Sequence, residues 1–334
     1  MANSYAQAIK KGAMSASRLH VQLGSKENIG PGGNVDIFST IVDMDVPLIF
    51  RPLGGLLGAY LSQPTPGILV TTERPLSIQR FTAAHELGHF CLKHSPSLDD
   101  ESVLRRMRNP GPSSDLQEVE ADSFATGFIL PRWLISWHCE RQSWNASDLK
   151  QAPVVYQLSL RLGASYEATT WTLQRYNIIS PAIGNHLRTI QPKTIKKSLL
   201  EEYEPPDYWG DVWILTERDF DLQITGSQND LFVFRLKEHS GSGYIWNIDD
   251  IEEHGFSVVS DKCFAIDEED IGGSVTRSIT AKCRTDQIGQ ISLTEERPWQ
   301  SNSLLTLLEL TYDLHGSEKA GWSRAERYRD LRAA

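Results

Sequence analysis

Arg80-Phe81-Thr82-Ala83-Ala84-His85-Glu86-Leu87-Gly88-His89-Phe90 sets an H-E-x-x-H pattern inside an apolar run. At about 100° per residue, His85 and His89 fall on one helical face roughly one turn apart, so two imidazoles can reach one ion. Glu86 lies beside that face. A carboxylate there can take a proton from a metal-activated water without being a ligand itself, the arrangement that metal-assisted peptide hydrolysis requires. Phe81, Ala84, Gly88 and Leu92 make a compact apolar stripe, and the small Ala84 and Gly88 would admit a close neighbour. A buried helix is therefore expected. Two histidines and a glutamate on such a helix are costly unless a cation pairs them.

A third protein ligand should leave the fourth position to water. His94 follows His89 by five residues with no glycine turn between, which misses the H-E-x-x-H-x-x-G-x-x-H spacing, and it reads as a helix-end histidine. Glu118 is the better candidate. Ser114 and Gln117 have the S-x-x-Q form of a capping box after a Pro/Gly turn, and Pro131 stops the run, so a second helix is predicted. Its apolar face is Ala121, Phe124, Ala125 and Phe128, with Glu118 at the margin and Asp122 one turn on. Glu118 is expected to bind the metal, and Asp122 to accept the free N–H of a ligating histidine and fix its tautomer. Glu120 reads as a solvated helix charge.

R-F-T-A-A-H-E-L-G-H followed by E-V-E-A-D-S-F-A-T-G-F-I-L-P resembles the ImmA/IrrE metallopeptidases, whose pattern is a HELGH helix followed by an E-x-E-A-N-x-F-A helix ending in a proline. The resemblance covers roughly residues 1–185. It implies Zn2+ as cofactor, His85, His89 and Glu118 as its ligands, and Glu86 as catalytic base. Asp122 stands where that family usually has asparagine, which moves the site toward the E-x-x-x-D arrangement of thermolysin-like enzymes and leaves the ligand set intact. The resemblance further implies a partner helix-turn-helix transcriptional repressor as substrate, cut in stress or mobile-element regulation.

With 334 residues and 40% hydrophobic content, the chain can support two cores. No run of about 18 apolar residues occurs, so no membrane span is expected; residues 46–61 are broken by Arg51 and glycines. The start lacks the basic-then-apolar order of a signal peptide, and a cytoplasmic location is expected. From Lys193 onward there are 27 Asp/Glu against 16 Lys/Arg, of 43 and 33 in the whole chain. The acidic excess thus sits in the second part, where it serves solubility. No basic stripe with interleaved aromatics favours nucleic-acid binding. Cys91, Cys139, Cys263 and Cys283 show no C-x-x-C spacing, so reduced structural thiols are the default. Two alternatives stand: Cys263 and Cys283 facing each other on neighbouring strands, and Cys139 as a fourth, inhibitory metal ligand.

Residues 5–23 read as an entry helix, and 46–50 and 68–72 as short strands before the metal helix. Residues 67–72 are the candidate strand for pairing with an extended substrate. Residues 154–177 have a helix-turn-helix look, but too few basic residues for a DNA reader, and are taken as packing helices. Prolines, lysines and the acidic run ending at Pro206 suit a linker at 186–210. Beyond it, β-rich runs at 212–215, 231–236, 243–248, 257–259, 275–282 and 290–294 suggest a sandwich.

Three loops there carry a second resemblance. Ser240-Gly241-Ser242-Gly243-Tyr244-Ile245-Trp246, then Gly272-Gly273, then Arg297-Pro298-Trp299, are similar in order to the three loops of chagasin-like inhibitors of cysteine peptidases, over roughly residues 215–312. The first loop has His239-Ser240-Gly241-Ser242 in place of Asn-Pro-Thr-Thr. Tyr244, Trp246, Arg297, Pro298 and Trp299 become recognition candidates, with core packing the other reading of Trp246 and Trp299. The expected fold class is an α+β zincin-like metallopeptidase domain (1–185), then an all-β immunoglobulin-like sandwich with a C-terminal extension (211–334). The expected function is a zinc endopeptidase. The alternative is a binding protein whose β domain captures a peptidase or peptide while the zinc domain acts as sensor or scaffold.

Overall fold

The computed structural model describes residues 2–30, 32–95, 97–100, 115–265, 273–284 and 287–333. Helices α1 (Ala2–Leu23) and α2 (Ile37–Asp43) precede strands β1 (Leu48–Arg51), β2 (Leu56–Leu61) and β3 (Gly67–Thr71), then α3 (Leu76–Leu92), β4 (Ser97–Asp100) and α4 (Leu116–Ile129). Five further helices follow: α5 (Arg132–Gln142), α6 (Ala152–Leu162), α7 (Tyr166–Arg175), α8 (Pro181–Thr189) and α9 (Pro192–Leu200). Of the apolar stripe expected on α3, Phe81, Ala84 and Gly88 are buried and Leu92 is half-buried, while Ala83 and Leu87 are wholly enclosed as well. Burying a leucine side chain such as Leu87 is worth about 1.5–3 kcal/mol. Lys93 caps the helix in the left-handed conformation at φ 58°, which turns the chain back toward β4.

The first sheet has the order β13-β1-β3-β2-β4, where β13 is Gly321–Trp322 near the end of the chain. Strand β3 is therefore interior. It pairs in parallel with β1 (Ile68 opposite Leu48) and antiparallel with β2 (Val70 opposite Gly58). This corrects the expectation that residues 67–72 pair with substrate, because a strand with partners on both sides has no edge to offer.

Residues 186–210, expected as a linker, include the end of α8 and all of α9. Pro181 and Pro192 each open a helix at its first turn, where proline is favoured, and Ile195, Leu199 and Leu200 join the first core. The helix-turn-helix look of 154–177 resolves into α6 and α7 around Gly163 at φ 66°. Their inward residues Leu158, Leu162 and Leu173 are core.

The second part holds β5 (Val212–Leu215), β6 (Leu222–Thr225), β7 (Leu231–Glu238), β8 (Ile245–Asn247), α10 (Asp249–Glu253), β9 (Phe256–Ala265), β10 (Val275–Cys283), β11 (Ile288–Glu296) and β12 (Thr306–Asp313), and ends in α11 (Arg324–Ala333) after β13. Two four-stranded sheets, β5-β7-β10-β9 and β6-β12-β11-β8, share a core of Phe232, Phe234, Ile279, Leu293, Leu308 and Leu310. Alternation along β12 puts Leu308 and Leu310 inward, as a half-buried strand demands, whereas β7 is buried on both faces, with Phe232 and Phe234 toward this core and Leu231 and Val233 toward the first.

The two parts are welded. Val212, Leu231 and Val233 belong to the first core. Arg161 on α6 meets Asp219 in a buried ion pair, Nη2 to Oδ1 at 2.9 Å. Asp219 also accepts from the Gln142 side chain at 2.7 Å and the Thr216 N–H at 2.9 Å. Beyond the β sheets the chain returns: β13 pairs antiparallel with β1, Trp322 opposite Ile49, and Arg329 on α11 donates to the Val42 carbonyl at 2.6 Å. No helix among the described residues is long and apolar enough to cross a membrane.

Candidate metal centre

Helix α3 is enclosed by β2 on one side and α4 on the other. A Cβ on Gly88 would stand 3.2 Å from the Ala121 Cα of α4, so the glycine sets how closely the two helices approach. Asp115 caps α4 by accepting from the Gln117 N–H at 3.0 Å; Ser114, the capping residue expected from sequence, lies outside the described residues. Gln117 in turn accepts from the Ser95 N–H at 2.9 Å, which ties the turn after α3 to the first turn of α4.

This packing brings His85, His89 and Glu118 together, with one ligand-capable atom from each within 4.8 Å of the others. The two histidine Nε2 atoms lie 3.0 Å apart. Glu118 approaches both, Oε2 at 3.4 Å from His85 Nε2 and Oε1 at 3.5 Å from His89 Nε2. Asp122 Oδ1 is 3.0 Å from His85 Nδ1. Two imidazole nitrogens and a carboxylate at one buried point form a donor set of the kind that holds Zn2+ with a position to spare. Glu86 is fully buried beside them, and a Cβ on Gly58 of β2 would come within 2.6 Å of its Oε1 and 2.5 Å of the Thr82 methyl. The carboxylate thus occupies space that only glycine leaves open.

One reading from sequence is corrected here, and a second gains a contact. Glu120 is buried, not a solvated charge. Its Oε2 meets Lys11 Nζ at 2.6 Å and His94 Nε2 at 2.9 Å. Periodicity within α4 pointed it outward, but α1 covers that side, with the Glu120 carbonyl oxygen 2.1 Å from where a Cβ on Gly12 would stand. His94 lies beyond the end of α3 and is also buried, its Nδ1 3.0 Å from the Nδ1 of His89. The H-x₃-H-x₄-H spacing of His85, His89 and His94 does not show this contact, since the left-handed Lys93 cap is what folds His94 back.

All four cysteines are free thiols. Among the described residues none joins the His85, His89 and Glu118 group, so Cys139 is not placed as a ligand. Burial pushes its thiol up to about 11 and that of Cys91 up to about 12. Cys263 sits opposite Arg277 and Cys283 opposite Phe256, so these two do not face each other.

In the β-rich part the two tryptophans divide. Trp246 is core, 2% exposed, with its indole N–H donating to the Lys237 carbonyl at 2.9 Å. Trp299 is 72% exposed. Its ring lies 2.7 Å from where a Cβ on Gly243 would stand, and Gly243 has φ 81°, so both the conformation and the contact require glycine. Arg297 lies over the Tyr244 ring at 4.4 Å and donates from Nε to the Ser242 carbonyl at 3.1 Å. Pro298 is exposed between them. Gly272 of the second loop lies outside the described residues.

Comparison with known proteins gives each half a relative. Residues 43–173 match the peptidase family M78, described as the IrrE N-terminal-like domain. Residues 225–315 match the chagasin family peptidase inhibitors I42. Solved structures similar to the second part include the cysteine protease inhibitor EhICP2 from Entamoeba histolytica, at 26% identity over 33% of this chain and 100% of that one, TM-score 0.30. Amebosin is similar at 21% identity over 31% of this chain and 98% of its own, TM-score 0.26. No curated protein matches.

Proposed function

We propose that this chain, with a peptidase-family region and an inhibitor-family region, is a zinc-dependent endopeptidase that cleaves a specific cytoplasmic protein, and that its β domain, of immunoglobulin-like plan, serves recognition or regulation. The observation that carries the reading is the convergence of His85 Nε2, His89 Nε2 and Glu118 beside a buried Glu86. When bound, Zn2+ would supply Lewis acidity toward a peptide carbonyl and acidify the attacking water. His85, His89 and Glu118 would hold it, with Asp122 orienting His85 through Nδ1. Glu86 takes the proton of the attacking water and delivers it to the leaving amine. From the resemblance of the first part to ImmA/IrrE proteins, a helix-turn-helix repressor is proposed as the substrate. Glu86→Gln should keep stoichiometric zinc while cleavage falls about 10²–10⁴-fold. Cleavage near the wild-type rate on a verified substrate would remove Glu86 from the chemistry.

A second reading, capture of a peptidase by the β domain, is favoured by one observation: the exposed Trp299 stacked against Gly243 beside the Arg297–Tyr244 pair. Rigid exposed aromatics make efficient binding anchors. Titration against a papain-type cysteine peptidase, with Trp299→Ala as control, tests it. Absence of inhibition by the wild-type chain at micromolar concentration would discard it.

A further inference from the structure

A hydrogen-bonded path runs from the candidate metal ligand His89 to the protein surface. His89 Nδ1 faces His94 Nδ1 at 3.0 Å, His94 Nε2 faces Glu120 Oε2 at 2.9 Å, and Glu120 Oε2 meets Lys11 Nζ at 2.6 Å. The His94 and Glu120 side chains are almost fully covered, while that of Lys11 is 56% exposed. Three separate stretches of chain supply the links: α1, the turn after α3, and α4.

The direction of every bond follows from the far end. Lys11 can only donate, and an ionised carboxylate can only accept. Glu120 therefore requires a proton on His94 Nε2, and a neutral imidazole with its proton there presents a lone pair at Nδ1. Two nitrogens in contact need either a proton or a metal ion between them, and away from the metal point it is a proton, so His89 carries its proton on Nδ1. That leaves a lone pair on His89 Nε2, 3.0 Å from His85 Nε2 and 3.5 Å from Glu118 Oε1, a contact to be satisfied by a cation between these atoms rather than by a shared proton. His85 reaches the same state by a shorter route, its Nδ1 against Asp122 Oδ1 at 3.0 Å.

We infer that His94, Glu120 and Lys11 are positioning residues that lock His89 in its Nδ1–H tautomer and aim its Nε2 at the metal point, so that each candidate histidine ligand has its own carboxylate, direct for His85 and relayed through His94 for His89. This rests on the reading of His85, His89 and Glu118 as ligands. Partners of this kind are generally worth 10–100-fold in metal affinity. The relayed arrangement couples the packing of α1 to the metal point, because Lys11 and the helix approach at Gly12 hold Glu120 in place.

Two measurements separate the inference from the reading beneath it. Long-range ¹⁵N–¹H NMR of metal-free protein reports the tautomer of His89 directly, assigned by comparison with His89→Gln. Nδ1–H is expected in the wild-type chain, with a shift toward Nε2–H in His94→Phe and Glu120→Gln. In parallel, Zn2+ affinity is measured by chelator competition. His94→Phe and Glu120→Gln should weaken it about 10–100-fold, Glu120→Asp should recover part of the loss, and the surface change Lys11→Met, which leaves the core intact, should weaken it least. An Nε2–H tautomer in the folded wild type, or unchanged Zn2+ affinity in folded His94→Phe and Glu120→Gln, overturns the inference. A wild-type chain with the Nδ1–H tautomer that takes up no zinc would support the locked tautomer and overturn the metal reading.

Discussion

Gln79, on α3 six residues before His85, exchanges two hydrogen bonds with the backbone of Glu318: its Nε2 donates to the Glu318 carbonyl at 3.1 Å and its Oε1 accepts from the Glu318 N–H at 2.7 Å. The same Nε2 donates to the Thr71 carbonyl at the end of β3. One buried amide thus joins the first sheet, the helix that carries H-E-x-x-H and the segment that follows the last long strand. Arg324 holds that segment in shape by donating to the Glu318 carboxylate at 2.7 Å and the Gly316 carbonyl at 2.7 Å.

A chain ending near residue 195 should therefore fail to fold as a stable zinc-binding unit. It would lose β13 from the first sheet and the partners of Gln79, and would uncover the core surface filled by Val212, Leu231 and Val233. Gln79→Ala in the full chain should cost about 1–3 kcal/mol, the penalty for leaving buried backbone groups without a partner. Urea unfolding should show one cooperative transition; two transitions, with the first half folded and metal-bound on its own, would count against this integration.

Gly58→Ala should impair catalysis while sparing the metal. The added methyl would stand 2.6 Å from Glu86 Oε1 and 2.5 Å from the Thr82 methyl, so the carboxylate must shift by several tenths of an ångström, whereas His85, His89 and Glu118 lie on other contacts. Zinc content should stay near one per chain with a clear drop in kcat. Unchanged kcat would show that the position of Glu86 is not set by β2.

Asp219→Ala should destabilise the protein by about 3–5 kcal/mol, because it strands the Arg161 guanidinium without its buried partner. The same change frees the Gln142 side chain and the Thr216 N–H. Denaturant titration of the wild type and the variant measures the difference. A loss below about 1 kcal/mol, the scale of a surface ion pair, would mean that water reaches the pair.

His138 should make stability fall in acid. Burial holds its imidazole down to about 3 and Arg161 and Arg141 add repulsion, against the hydrogen bond to the Gly33 carbonyl, which pulls the other way. Below pH 6.5 the unfolded chain takes up a proton at this residue, while the folded chain does not until about pH 3. Stability contributed by the neutral ring is thus complete above pH 6.5 and drains away as the pH falls through that window, at about 1.4 kcal/mol per pH unit. Between pH 7 and pH 5 the wild type should lose about 2 kcal/mol more than His138→Gln. Parallel stability curves for the two would refute the assignment.

What the sequence by itself determined was everything that lies within one helix. The spacing of His85, Glu86 and His89 and of Glu118 and Asp122 sets the relative phase of each pair, and the structure brings His85, His89, Glu118 and Asp122 to one point. The β-rich runs after residue 211 are legible from composition and the spacing of turns, although those runs do not include β6, β12 or β13. Only the tertiary structure decided what crosses between elements. Glu120 looks solvated on α4 alone and is buried because α1 approaches at Gly12; His94 looks like a helix end and is turned back by the left-handed Lys93. The same holds for the interior place of β3, the burial of Trp246 against the exposure of Trp299, and the return of the chain to β1. Periodicity reports which face of an element is apolar, but burial of a polar side chain depends on which other element lies against it. That is settled by long-range contacts such as Lys11 with Glu120, separated by 109 positions, whose partners no local pattern identifies.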